Sequence, residues 1–326
     1  MKTITKSSEL KDFCDRAANE KYIAIDTEFL RERTYFAKLC LVQLAIPGDE
    51  NENAVIVDTL ANNLDLSPLY EIFQNQNIVK VFHAARQDLE IFYFASGILP
   101  SPLFDTQIAA MVCGFGDQVA YETLVRQITK QTLDKSSRFT DWSRRPLTDA
   151  QKNYALADVI HLRGIYETLS EQLVKTGRLT WVDEELTNLI SPKTYDVDPK
   201  KSWRRLKTKS NSRRFLGLVA SLAEFRESFA QAKNIPRNRV IKDDALLELA
   251  SNKPKNFDEL SRSRLLLKEA RKGEIASGLL TAIKKGLEIP DSELPEKPNK
   301  PDKNIVNSAL ADLLRVLLKS CSENSG

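Results

Sequence analysis

The sequence predicts an α/β domain followed by a small all-helical domain. Three observations carry this. Five short apolar runs rich in β-formers, at 22–26, 39–46, 54–58, 78–82 and 103–105, alternate with helical patterns over the first 175 residues. From 212 to 287 the periodicity is helical throughout. The charge also changes sign along the chain. Residues 1–190 carry 20 basic and 27 acidic side chains, a net −7, and residues 191–326 carry 28 and 18, a net +10. An acidic half able to hold cations, joined to a basic half able to hold an anion, suits an enzyme acting on a polyanion; charge drift for solubility is the plainer alternative.

The 326 residues are enough for two domains, and 42% apolar with 29% charged residues is a globular composition. No apolar run reaches the length of a membrane span, and the N-terminus lacks a signal-peptide core, so a cytoplasmic protein is expected. Cys14, Cys40, Cys113 and Cys321 are scattered and read as reduced, mostly buried thiols. The presence of only His83 and His161 argues against a histidine-rich zinc site.

A first helix is predicted over 7–19, with Leu10, Phe13 and Ala17 on one face. The strand that follows ends in Ile25-Asp26-Thr27-Glu28-Phe29. Residues two apart on a strand share a face, so both carboxylates project together. Like charges held so close call for a cation between them, unless the pair is a chance feature of a strand end. Arg31 to Tyr35 reads as a mobile loop beside them. Gln43, in the second strand, reads as a hydrogen-bonded core residue.

Residues 68–75 are predicted helical. After the 78–82 strand a helix is expected from His83 through Phe92. Asp88 lies early in it, where an acid is favoured by the helix dipole whether or not it serves a site. His83, at the junction, reads as a structural hydrogen bonder. Asp105 ends the fifth strand and is either another site acid or the cap of a helix over 106–112. A helix over 119–129 precedes a polar loop, 131–146, whose Arg138, Arg144 and Arg145 are placed to meet phosphates. Thr148-x-x-Gln151 has capping-box spacing and opens a helix that runs to about Lys175. On it Tyr154 and Asp158 are four apart and share a face, as a simple Tyr–Asp pair or as part of a site.

Residues 178–190 continue as helix until Ser191-Pro192 breaks the pattern. Residues 200–215 hold eight basic residues and no acid, with Trp203 among them. Trp203, Arg204 and Arg205 suit base stacking and phosphate contact, or Trp203 anchors the linker. Helices are expected from 212 onward, at 243–250, 257–268 and 273–285. The loop before 243 carries Arg237 and Arg239, and Arg271 and Lys272 are further candidate contacts. Residues 290–303 read as a linker, and Ile305–Lys319 as one more amphipathic helix.

Taken together, Ile25-Asp26-Thr27-Glu28-Phe29, Leu41-Val42-Gln43-Leu44-Ala45, Val81-Phe82-His83-Ala84-Ala85-Arg86-Gln87-Asp88-Leu89, Phe104-Asp105-Thr106-Gln107 and Tyr154-Ala155-Leu156-Ala157-Asp158 form an ordered set. The set resembles the exonuclease domain of the four-carboxylate superfamily, in the subclass with tyrosine in its last motif, and within it is similar to the ribonuclease D family. The region 211–289 resembles, more loosely, the helicase-and-RNase-D C-terminal (HRDC) domain. The resemblance divides the chain into an exonuclease domain at 1–175, a helical linker at 176–210, the HRDC domain, and at 290–326 a linker with the start of a second helical module. Ribonuclease D-like chains often carry that module, and this chain ends after its first helix.

The resemblance implies an RNase H-like mixed five-stranded sheet flanked by helices, and 3′→5′ hydrolysis of RNA to nucleoside 5′-monophosphates, in tRNA 3′ processing. It implies two magnesium ions, about 4 Å apart, with manganese as a substitute. Asp26 is expected to bridge them, Glu28 and Asp158 to complete one site, Asp88 to hold the second ion, and Tyr154 to orient the attacking water. The expected partner is RNA, as tRNA precursors, with no membrane and no obligate protein partner. Two other readings stay open on the residues: a 3′→5′ DNA exonuclease, because carboxylates do not choose the sugar, and a non-catalytic RNA-binding adaptor.

Overall fold

A computed structural model describes residues 2–48, 53–134, 137, 140–208, 210, 212–296 and 308–325. Its strands are β1 (Lys2–Ile4), β2 (Tyr22–Leu30), β3 (Lys38–Ala45), β4 (Ala54–Asp58), β5 (Val79–Phe82) and β6 (Leu103–Asp105). They form one mixed sheet in the order β1-β4-β3-β2-β5-β6. β2–β3–β4 is an antiparallel meander, and β1, β5 and β6 join it in parallel. The sheet therefore has six strands where five were expected. The addition is three residues at an edge with one buried side chain, Ile4, which is too little alternation to register as a strand.

Period-2 alternation sends the side chains of β2 to two cores. Ile23 and Ile25 join Leu10 and Phe13 of α1 (Ser7–Ala17), Leu69 and Phe73 of α2 (Ser67–Gln74), and Leu89 and Phe92 of α3 (Arg86–Ser96). Tyr22 and Ala24 face the opposite side. There they meet Ala109 of α4 (Thr106–Val112), Leu124 of α5 (Tyr121–Leu124), Ala155, Val159 and Leu162 of α6 (Asp149–Thr176), and Val182 of α7 (Leu179–Leu189). Asp26 and Glu28 continue the α6-facing register of β2, so the alternation that builds the core also aims the acids. The helix expected over 119–129 is instead α5 followed by a π-helical turn, Val125–Thr129. Helix α3 starts at Arg86 because Ala84 is in the left-handed region, at φ 54°.

Helix α6 opens with the capping box read from its sequence: Thr148 Oγ1 accepts from the Gln151 N–H, and the Gln151 side chain accepts from the Thr148 N–H.

The chain divides into two units, Met1–Arg31 with Ala37–Asp196, and Glu32–Phe36 with the chain from Val197 onward. The second unit is built on α8 (Arg213–Lys233), with α9 (Arg237–Val240), α10 (Asp243–Asn252), α11 (Phe257–Ser261) and α12 (Gly273–Glu288) around a core that includes Leu218, Leu222, Leu246, Leu249 and Leu279. The helix expected at 257–268 is only the short α11. A last helix, α13 (Ser308–Ser325), carries the expected apolar pattern, and residues 305–307 lie outside the described residues. The segment read as a mobile loop is fastened within the second unit. The Tyr35 and Phe36 N–H groups donate to Asn234 Oδ1 at 3.1 and 3.0 Å, and the Tyr35 hydroxyl donates to Glu227. Glu227 is fully buried and also pairs with Arg237 at 3.2 Å. A buried carboxylate needs such partners, and loop composition cannot reveal them.

Candidate active site

The i, i+2 acids of β2 and the Tyr-x-x-x-Asp pair of α6 converge because α6 packs across β2 and β3 on the face toward which Asp26 and Glu28 point. Carboxylate oxygens of Asp26, Glu28 and Asp158 lie within 4.8 Å of one another, a group able to hold a metal ion. They line a cleft of about 540 Å³ together with Tyr154, His83, Gln87 and Tyr121, and with the apolar Phe29 and Leu133. Three converging oxygen donors lining one cleft fit a hard divalent cation.

Asp88, expected to hold a second ion, is neither in this three-acid group nor among the residues that line the cleft; it lies on the other face of β2. Thr27, between the two acids of β2, points away from them, and its hydroxyl donates to the Asp88 carboxylate. Asp88 is itself buried. The middle residue of Asp-Thr-Glu thus ties the α3 acid to the strand. Sequence reasoning passed over Thr27, although a hydroxyl flanked by two site acids was the available signal. It also passed over Tyr121, whose hydroxyl donates to the Asp158 backbone carbonyl and fixes the α6 turn that carries that acid.

Burial pushes the Asp26 carboxyl up from its usual 3.8 to about 7, and a hydrogen bond from the Thr27 backbone offsets only part of that. Asp88 is pushed well above the carboxylate range, first by burial and then by the Asp26 charge, against the Thr27 hydrogen bond. These acids hold protons in the fold that the unfolded chain has released. Their contribution to stability is therefore present at low pH and is lost as pH rises from about 3.8 to 7 and beyond. With chelator present, the melting temperature is expected to fall over that window, and by less in Asp26→Asn. Equal slopes in the two proteins would show that Asp26 does not titrate this way.

His83 is the structural hydrogen bonder expected. Its Nδ1 lies 3.0 Å from Thr106 Oγ1, its ring packs on Tyr121, and burial lowers it to about 4, so it stays neutral. Asp105 caps α4: its carboxylate accepts from the N–H groups of Gln107, Ala84 and Ala85 at 2.8 to 3.0 Å. Gln43 departs from expectation. It is fully buried opposite Asp26 in the β2–β3 register, and neither amide atom has a partner among the described residues.

The expected phosphate contacts fare differently. Arg144 is exposed, 3.4 Å from Asp141. Arg145, expected to meet phosphate, instead forms a two-point ion pair with Asp58 at 2.6 and 2.7 Å. Arg138 lies outside the described residues. Trp203 packs half-buried on the core of the second unit, while Arg204 and Arg205 beside it are exposed. Arg239 is exposed, and Arg237 pairs with Glu227 and stacks over Tyr35. Arg271 donates to the Ser263 and Leu266 carbonyls. Lys272 is exposed.

A family model described as 3′-5′ exonuclease matches residues 1–174, and an HRDC domain model matches 215–283. The chain is 61% identical to the ribonuclease D of Jannaschia sp. over 324 residues, which is 99% of this chain and 84% of that one. It belongs to the ribonuclease D family. The ribonuclease D of Granulibacter bethesdensis is 48% identical over 98% of this chain and 80% of that one. The crystal structure of Escherichia coli RNase D, an exoribonuclease involved in structured RNA processing, matches with a TM-score of 0.86 at 31% identity, over 99% of this chain and 85% of that one. As a member of the ribonuclease D family the protein is a 3′→5′ exoribonuclease with RNA as its substrate. The ribonuclease D exonuclease domain is metal-dependent, and the Asp26–Glu28–Asp158 cluster supplies an acidic group suited to that requirement.

Proposed function

We propose that the enzyme uses two magnesium ions, with manganese as a substitute, to trim the 3′ ends of tRNA precursors in the cytoplasm, releasing nucleoside 5′-monophosphates. The observation that carries the reading is the convergence of three carboxylate oxygens within 4.8 Å in a cleft that Tyr154 also lines. Asp26, Glu28 and Asp158 would hold one ion, and Asp26 and Asp88 the other. Divalent ions bound there would supply an activated nucleophile and neutralise the leaving 3′ oxygen.

The side chains do the rest. Asp26 projects from mid-strand, so its carboxylate is placed by the sheet. Thr27 holds Asp88 in reach, and Tyr121 holds the backbone of Asp158. The Tyr154 hydroxyl orients the incoming water. Phe29 and Leu133 offer apolar walls to the terminal base. In this reading the exonuclease domain spans 1–175 and the HRDC domain 211–289, and the matched ranges 1–174 and 215–283 support that division. The exposed Arg204, Arg205 and Arg239 would supply phosphate contacts, supported by the basic balance of the second half, and the exposed Arg144 would supply another.

The test uses 3′-labelled RNA and the matching DNA with magnesium, with manganese and with chelator. A tRNA precursor with a 3′ extension is assayed in parallel. Stepwise release of 5′-monophosphates from RNA, absent with chelator, is expected, together with a discrete trimmed end on the precursor. Equal attack on DNA would point to a general exonuclease. Degradation of the precursor without a stop would remove the processing role.

A further inference from the structure

We propose that Arg145 and Trp142 are positioning residues for Tyr154, an inference that rests on the reading of Tyr154 as the group that orients the attacking water. Every donor of the Arg145 guanidinium is engaged. Nε and Nη2 donate to the two oxygens of Asp58 at 2.7 and 2.6 Å. Nη2 also donates to the Cys40 carbonyl at 3.0 Å, and Nη1 donates to the carbonyls of Trp142 and Arg144 at 2.7 and 2.8 Å. A guanidinium has five N–H donors in a fixed fork, and here all are taken. Nothing remains for a phosphate. The side chain instead fastens the 142–145 turn to the ends of β3 and β4.

That turn presents Trp142 to α6. Trp142 is 2% exposed, and its ring lies 6.0 Å from that of Tyr154 at an interplanar angle of 34°. Its indole N–H is buried with no acceptor among the described residues. An unpaired buried donor works against folding, so stability alone favours Phe or Leu at this position. What the indole supplies is a broad flat wall against the Tyr154 ring. The first turn of α6 is registered on the same loop, because Gln151 Nε2 donates to Thr140 Oγ1 at 3.2 Å. The chain of contacts therefore runs from Asp58 through Arg145 and Trp142 to the Tyr154 ring. It restrains the swing of that ring and so fixes where its hydroxyl stands in the cleft.

A double-mutant cycle separates this from a general effect on the fold. Steady-state release of 5′-monophosphates is measured for wild type, Arg145→Lys, Trp142→Leu, Trp142→Phe and Tyr154→Phe, and for each of the first three variants combined with Tyr154→Phe. Thermal melts are run in parallel. Lysine keeps the charge but cannot make the two-point contact. Arg145→Lys and Trp142→Leu are each expected to lower kcat about tenfold, a typical loss for a group that holds a site residue in place, with KM within about twofold. Trp142→Phe keeps a flat ring and is expected to retain most of the rate. In the Tyr154→Phe background the same changes are expected to lower kcat by less than about twofold, since no hydroxyl remains to be placed. Equal losses in both backgrounds would overturn the proposal while leaving Tyr154 in its role. A wild-type rate in Tyr154→Phe alone would remove that role and the proposal with it.

Discussion

Asp26→Asn is expected to lower RNA hydrolysis by about a thousandfold or more, a loss of about 4 kcal/mol of transition-state stabilisation. The reason is position. Asp26 belongs to the cluster with Glu28 and Asp158 and is also the charge that, after burial, most raises Asp88. The same change is expected to raise the melting temperature of the chelator-treated protein at neutral pH. The carboxylate is desolvated and sits near like charge, and an amide removes both penalties. Single-turnover cleavage and thermal melts, each with metal and with chelator, read the two effects. Cleavage within tenfold of wild type would sink the assignment. A lower melting temperature with chelator would show that Asp26 supports the fold rather than strains it. A site that is destabilising until it is loaded is the ordinary trade between stability and function.

The acids of β2 and α6 were legible as pairs because each pair depends on a short-range periodicity, whereas Asp88 carried two readings and joined them only through the resemblance. Asp26 and Glu28 share a face by the period of a strand, and Tyr154 and Asp158 by that of a helix. The apolar runs of β2 to β6 declared themselves through composition. What was not legible depends on contacts between distant positions. Arg145 sits in a polar loop with other arginines, and its commitment to Asp58, 87 residues earlier, leaves no local mark. Tyr121 meets Asp158 across 37 residues, and Tyr35 meets Glu227 across 192. Asp105 carried two readings, and the structure shows the cap: its carboxylate accepts from the Gln107 N–H at the start of α4, and the distant turn at Ala84 and Ala85 aims two more N–H groups at it. Gln43 reads as an ordinary polar core residue until the register places it opposite Asp26. Periodicity reveals which way a side chain faces, and only the fold reveals what it finds there.

Tyr154→Phe is expected to lower kcat about a hundredfold, the low end of what a positioned proton-handling group contributes. KM and RNA affinity are expected to change little. The substitution removes one oxygen and leaves the ring against Trp142, so the cleft keeps its shape. The acids proposed to hold the metal are untouched, and metal affinity should match wild type. This separates Tyr154 from Asp26, whose loss should weaken metal binding and turnover together. RNA affinity is read by fluorescence anisotropy in chelator, metal affinity by calorimetry, and kcat and KM from 3′-end release. A drop in kcat with both affinities preserved places the hydroxyl in the transition state rather than in the ground state. Equal turnover in the two proteins would mean that the water is oriented without the Tyr154 hydroxyl.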